Sequence, residues 1–223
     1  MKPKVLGILG SPRPFGGSAQ LLYCALEAAQ REGAAVEMKS VYEGEIKPCQ
    51  GCIQDEDPNC RFPCIFDDYG KELLIKINEA QVLILATPVY WYAPSGLLKN
   101  LIDRMTCLEN MVAYGEPSYM EGKVIGVITV GADAGLTLAG GYLLTVMNAM
   151  GALIPPWAHA YSRRADQALK DDRAVMDAIN VGLLAVGLAK KLQGQEGRLS
   201  YVDDQDLLLE IRQEVEKRRP KES

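Results

Sequence analysis

The chain has 223 residues, enough for one ordinary domain with a sizeable core and too few for two full ones. Hydrophobic residues make up 48% and charged residues 24%, an ordinary globular composition, and the net charge is −5. That acidity argues against nucleic acid or an anionic membrane as partner, and no stretch approaches the ~20 apolar residues of a membrane span. The single histidine, His159, removes the serine-hydrolase triad and most zinc-hydrolase sites, which lean on histidine.

Met1 to Gly7 is too short and Gly-rich for a signal peptide and reads as the approach to a first strand. A cytoplasmic location is expected, where cysteines stay reduced unless a metal holds them. Val5–Leu9 is a short apolar run bounded by Gly10-Ser11-Pro12, as for a strand buried on both faces. Ser18 is expected to cap a helix carrying Leu21, Leu22, Ala25 and Ala29, stopped by Gly33. Ala35–Val41 alternates, as a strand near a sheet edge does.

Residues 44–66 break the pattern with four cysteines and three prolines, a loop or small insertion. Asp67-Asp68 then look like caps for a helix with Leu73, Leu74 and Ile77 inward. Gln81–Thr87 is a second buried strand, Pro94-Ser95 opens another helix, and Val124–Val130 is a third such strand. A helix near Leu138–Met150, a strand near Ala152–Ala158 and a helix near Asp171–Leu192 complete the count. The tail, Asp203–Arg219, is read as an amphipathic packing helix with Leu207, Ile211 and Val215 in its stripe.

Five strands alternating with helices predict an α/β fold: a doubly wound, five-stranded parallel sheet with a cysteine-rich insertion. The expected organisation is one domain over residues 1–200, with 44–66 inside it and 201–223 as a helical tail.

Ligands of such sheets sit beyond the carboxyl ends of the strands. The first such end is Gly10-Ser11-Pro12-Arg13-Pro14-Phe15-Gly16-Gly17-Ser18. Its glycines admit an anion to the backbone, its serines add hydroxyls, Arg13 adds a planar charged fork, and a helix N-terminus follows. It matches neither G-x-G-x-x-G nor the P-loop, so a mononucleotide phosphate is favoured. Ser11, Arg13, Gly17, Ser18, Ala19 and Gln20 are the candidate contacts. Three successive aromatics after the next strand, in Thr87-Pro88-Val89-Tyr90-Trp91-Tyr92, suit a flat ring. Gly131 and Ala132 end the third strand with little bulk, and Asp133 is expected to face solvent.

The four cysteines, Cys49, Cys52, Cys60 and Cys64, suit a [4Fe–4S] cluster or a structural zinc, with free thiols the remaining alternative. The lack of a nearby histidine tilts a four-thiolate site toward iron–sulfur. Asp55, Glu56 and Asp57 read as a solvated acidic turn, and Cys24 and Cys107 as buried packing residues.

The sequence resembles the NAD(P)H-dependent FMN reductases of flavodoxin-like fold, including the iron–sulfur flavoproteins. The resemblance runs from Gly10-Ser11-Pro12-Arg13 and Ser18 through Cys49-Gln50-Gly51-Cys52 and Asp67-Asp68. It is strongest at Thr87–Tyr92 and Leu98–Arg104, and weaker after Gly131. It implies FMN as cofactor, with Pro88, Val89, Tyr90 and Trp91 beside the flavin and Gly131-Ala132 near its ring. It implies NAD(P)H or a protein as electron donor or acceptor, and a homodimer or homotetramer. The family's cysteine motif opens C-x2-C-x2-C, whereas here the third position is Asp55 and Cys60 follows five residues later.

The functional expectation is an FMN-dependent oxidoreductase or electron-transfer flavoprotein passing electrons between FMN and a [4Fe–4S] cluster, with no side chain needed as acid or base. Its rivals are an FMN or quinone reductase without a cluster, and a non-enzymatic electron carrier or binding module.

Overall fold

Apolar runs that bury both faces have one stable use, the interior of a sheet covered by helices on each side. That is the architecture of the computed structural model, which describes residues 2–54, 59–197 and 202–220. The elements in chain order are β1 (Lys4–Leu9), α1 (Gly17–Arg31), β2 (Ala35–Ser40), α2 (Tyr69–Glu79), β3 (Val82–Tyr90), β4 (Ala93–Pro94), α3 (Gly96–Arg104), α4 (Thr106–Glu109), β5 (Val124–Val130), α5 (Leu136–Ala149), β6 (His159–Ser162), α6 (Asp172–Leu192) and α7 (Gln205–Glu216). Five strands run parallel in the order β2-β1-β3-β5-β6, the flavodoxin-like order, with β4 paired antiparallel to the end of β3. The strand order reverses between β1 and β3, which opens a crevice beyond their carboxyl ends.

One apolar cluster lies between the sheet and α1, α6 and α7, and a second lies under α2, α3, α4 and α5. Helices α1 and α6 approach closely at Gly182, where a Cβ would stand 2.0 Å from the Ala25 carbonyl oxygen. Ile211 and Val215 of α7 are fully buried in the first cluster, joined by Leu208 rather than by the half-buried Leu207. Among the described residues, no helix is long and apolar enough to cross a membrane.

Three local expectations are corrected. Helix α1 starts at Gly17 with Gly16 at its cap position, so Ser18 sits inside the first turn and does not cap it. The last parallel strand is His159–Ser162, not Ala152–Ala158. Over the earlier stretch only Leu153 makes an isolated bridge, to Val124, and Pro155 and Pro156 cannot donate to a ladder. The second apolar strand does not stop at Thr87 but runs to Tyr90 and turns back into β4. The acidic turn at Asp55–Asp57 and the boundary near residue 200 lie outside the described residues.

Candidate flavin and cysteine sites

The loop after β1 is held from two sides. Ser11 Oγ accepts from the Arg13 amide at 3.2 Å, and the Gly16 amide donates to the Arg13 carbonyl at 3.2 Å. Across the crevice, the Gly17 amide donates to the Ala165 carbonyl at 2.7 Å, so the segment after β6 forms a second wall. A Cβ on Gly17 would lie 2.4 Å from that same oxygen, which is why this position takes glycine. Gln20 braces the arrangement: its Nε2 donates to Phe15 O at 2.9 Å and Asp166 O at 3.1 Å, and its Oε1 accepts from the Leu169 amide at 3.2 Å. Arg13 reaches over the top to Asp166 at 2.5 Å, an exposed pair that leaves the guanidinium free to turn toward an anion at small cost.

The walls enclose a cavity of about 300 Å³. Ser11, Arg13, Gly17 and Ser18 line one end, and Pro88, Val89 and Tyr90 with Gly131 and Ala132 line the other. A second cavity of about 290 Å³ continues from Val89 and Gly131 past Trp91 and Tyr92. A cleft of about 230 Å³ at the opposite end of the sheet, by Lys4 and Lys76, is away from the strand carboxyl ends and has no part in this site.

The aromatic turn is strained. Val89 pairs with Pro94 and Tyr90 with Ala93, so Trp91 and Tyr92 are the two residues of a tight hairpin. Both have positive φ, 49° and 65°, which non-glycine residues adopt at a cost of about 1–3 kcal/mol each. Trp91 is 94% exposed, so its own packing does not offset that cost. An exposed indole held in a costly turn beside a cavity is the kind of surface on which a flat ring can stack. Glycine-lined backbone, hydroxyls, a guanidinium and this surface fit FMN in kind and in size.

The cysteine segment packs at the C-terminal end of α3. Cys49, Cys52, Cys60 and Cys64 line one pocket, and Arg104 and Cys107 line it too. Asn110 Nδ2 anchors the segment by donating to Cys60 O at 2.7 Å. The Arg104 side chain is fully buried, its guanidinium paired two-pronged with Asp68 at 2.8 and 3.0 Å and its Nε–H directed at Cys64 Sγ at 3.2 Å. Asp68 also caps α2, accepting from the Lys71 amide at 3.1 Å. Burial alone would raise the Asp68 carboxyl, but Arg104 and the Lys47 and Lys71 amides outweigh it and hold it at about 2. A hydrogen bond from Cys107, with the Phe66 amide and Arg104, overcomes burial and lowers the Cys64 thiol to about 5. Burial, then Cys52, pushes Cys60 up to about 12.

In kind and number these thiols fit an iron–sulfur centre, with buried positive charge beside one of them. The interior between them is about 10 Å³, so a cluster enters only if the segment moves outward as ligands engage. Among the described residues, no three potential ligands converge as a single metal ion requires.

A sequence profile described as NADPH-dependent FMN reductase matches residues 3–187. The chain belongs to that family. An iron–sulfur flavoprotein of Methanocaldococcus jannaschii is 39% identical over 131 residues, 58% of this chain and 63% of that protein. One from Archaeoglobus fulgidus is 33% identical over 151 residues, 66% of this chain and 64% of that protein. The chain thus spans less than two thirds of the length of these curated relatives. In fold it is similar to RosB, solved with bound 8-demethyl-8-formylriboflavin-5′-phosphate: TM-score 0.72 at 20% identity, covering 95% of this chain and 87% of that one.

For this FMN reductase family member, the structure places nine candidate residues on the first cavity: Ser11, Arg13, Gly17, Ser18, Pro88, Val89, Tyr90, Gly131 and Ala132. Trp91 lines the adjoining one. Ala19 and Gln20 lie buried beneath the loop and line neither, and Gln20 acts as its brace. Asp133 is exposed, as expected. Cys24 is buried in the core, where burial raises its thiol to about 12. The residues sequence reasoning missed are Ala165 and Asp166, far along the chain from the loop they brace. Cys107 is buried in the second core cluster, as expected of a packing residue, and also lines the cysteine pocket.

Proposed function

We propose that the chain is an NAD(P)H-dependent FMN oxidoreductase whose cysteine pocket holds a [4Fe–4S] cluster. The observation that carries the flavin half is the pair of adjoining cavities at the β1/β3 switch, the first lined by the loop after β1 and the second by the strained hairpin residues Trp91 and Tyr92. Ser11, Ser18 and Arg13 with the Ser18 and Ala19 amides at the start of α1 would hold the phosphate, the Gly17 amide being bonded to Ala165. Pro88 to Trp91 would position the ring, and the Gly131-Ala132 backbone would offer donors to charge near its carbonyl edge. Bound FMN would supply hydride acceptance, and a cluster would supply single-electron transfer. The protein contributes position, electrostatics and exclusion of water, and no side chain is assigned a proton.

Two relatives that are iron–sulfur flavoproteins support the cluster, as does the gathering of thiols in one pocket. A second reading, a flavin or quinone reductase without a cluster, is favoured by the closed interior of that pocket and by Asp55 at the motif's third position. Protein purified anaerobically is expected to carry one FMN and about four irons per chain, with broad absorbance near 400 nm that dithionite bleaches. Flavin peaks without iron leave the reductase alone standing. Stopped-flow mixing with NADPH and with NADH tests the donor, and a flavin reduced by neither would make the protein a carrier.

A further inference from the structure

The chain's only histidine, His159, opens β6, the edge strand of the sheet, in register with Val127 of β5. Side chains two residues apart on a strand share a face, so His159 meets Thr129 there. Its Nε2 lies 2.8 Å from Thr129 Oγ1, and that buried hydroxyl donates to the Leu136 carbonyl at 3.0 Å. A hydroxyl has one proton, so the imidazole is the donor to it, with its own proton on Nε2. Burial lowers the pKa of the ring below the ordinary histidine value and Asp177 opposes this only in part, so the neutral ring with one N–H is the form present at about pH 7. Helix α5 leaves room for the ring at Gly140, where a Cβ would overlap it.

Thr129 and Leu136 flank the loop 131–135, whose residues line both flavin cavities. The hydroxyl therefore ties the two ends of that loop together. At its far end Gly135 has a φ of 95°, and a Cβ there would lie 2.6 Å from the Tyr92 ring. The hydrogen bonds that begin at His159 thus end where the loop meets the strained hairpin. We propose that His159 is a positioning residue for the flavin ring, fixing through Thr129 the closure of the 131–135 loop against Tyr92. It lines neither cavity itself and moves no proton in the reaction. A loop of glycines and alanines around one aspartate has little packing of its own, so its shape depends on such a tie. This assignment rests on the flavin reading above.

The test compares wild type, His159→Gln, His159→Leu and Thr129→Val as cofactor-free full chains. With one histidine present, nitrogen-15 labelling of the imidazole reports a single ring by magnetic resonance, and its proton is expected on Nε2. Fluorescence titration with FMN is expected to show about three- to tenfold weaker binding in His159→Leu and Thr129→Val, each of which removes one hydrogen bond from the tie. The amide of His159→Gln can donate to the same hydroxyl, so that variant is expected to bind FMN as wild type does. The absorption maximum of bound FMN is expected to shift in the two weakened variants and to return in His159→Gln, which a loss of stability alone does not produce. Where His159→Leu does not melt cooperatively, Thr129→Val, which is close to the native side chain in volume, decides. Wild-type affinity and spectrum in the weakened pair overturn the assignment and leave the flavin reading intact, and a proton on Nδ1 alone overturns it too. Wild type that binds no FMN overturns the flavin reading, and the assignment with it.

Discussion

Arg104 shows how one residue can serve structure and site together. Its guanidinium neutralises Asp68, which caps α2, and its Nε–H holds Cys64. Removing one partner of a buried pair leaves the other charge stranded, at a cost of about 3–5 kcal/mol. Arg104→Met is therefore expected to lower unfolding free energy by that amount in urea titrations, far more than loss of an exposed pair such as Lys99–Asp103. The pH dependence has a definite sign. Asp68 is held at about 2 against an ordinary value of 3.8, so its contribution is present above about pH 4 and is lost as pH falls through 2. The shift corresponds to about 2 kcal/mol. Stability of the wild type measured from pH 5 to 2 should show this loss, and Arg104→Met should show a shallower one. Equal slopes would mean the pair is not what depresses the carboxyl.

At the scale of the element, the β3–β4 hairpin trades stability for presentation. Trp91 and Tyr92 take backbone conformations that glycine adopts freely, and Trp91 recovers almost nothing by burial. Trp91→Gly is expected to stabilise the cofactor-free protein, by about 1 kcal/mol once the entropy of glycine is subtracted from the relieved strain. The same change removes the exposed ring from the cavity wall, so FMN should bind roughly tenfold more weakly in a fluorescence titration. A rise in melting temperature with unchanged FMN affinity would detach the strain from the site. The hairpin was not legible in the sequence, because two bulky aromatics are poor turn formers and the local signal read as a loop. The strands β1, β3 and β5 were legible, since their side chains are buried on both faces and the runs are uninterrupted. Strand β6 was misplaced because apolar residues around Pro155-Pro156 imitate a strand that the prolines cannot complete.

For the molecule as a whole, the question is how far the tail shares in the cooperative unit. Ile211 of α7 is fully buried in the cluster built on α1 and α6, and Asp204 caps the helix by accepting from the Asp206 and Leu207 amides. Arg31–Glu210 and Arg218–Glu27 tie α7 to α1 at the surface, and Arg212 pairs with Asp172. If α7 unfolds with the rest, Ile211→Ala lowers global stability by about 2–5 kcal/mol in one transition. A separate early transition, with the main midpoint unmoved, would show a tail that docks and frays alone.

The amino-acid order by itself determined the layered class of the fold, the glycine- and serine-bearing loop at the end of β1 and the aromatic patch at the end of β3. These are properties of short contiguous stretches, written in hydrophobic period, glycine placement and residue type. Tertiary structure alone decided that Ala165 and Asp166 close the crevice over that loop, that Asp68 is the partner of Arg104, and that Cys107 joins the thiols of residues 49–64. Each joins residues well separated along the chain, whose meeting depends on which strands become neighbours in the sheet. Parallel strands need long crossovers, so the walls of a site at their carboxyl ends come from distant segments, and no local pattern records which ones meet.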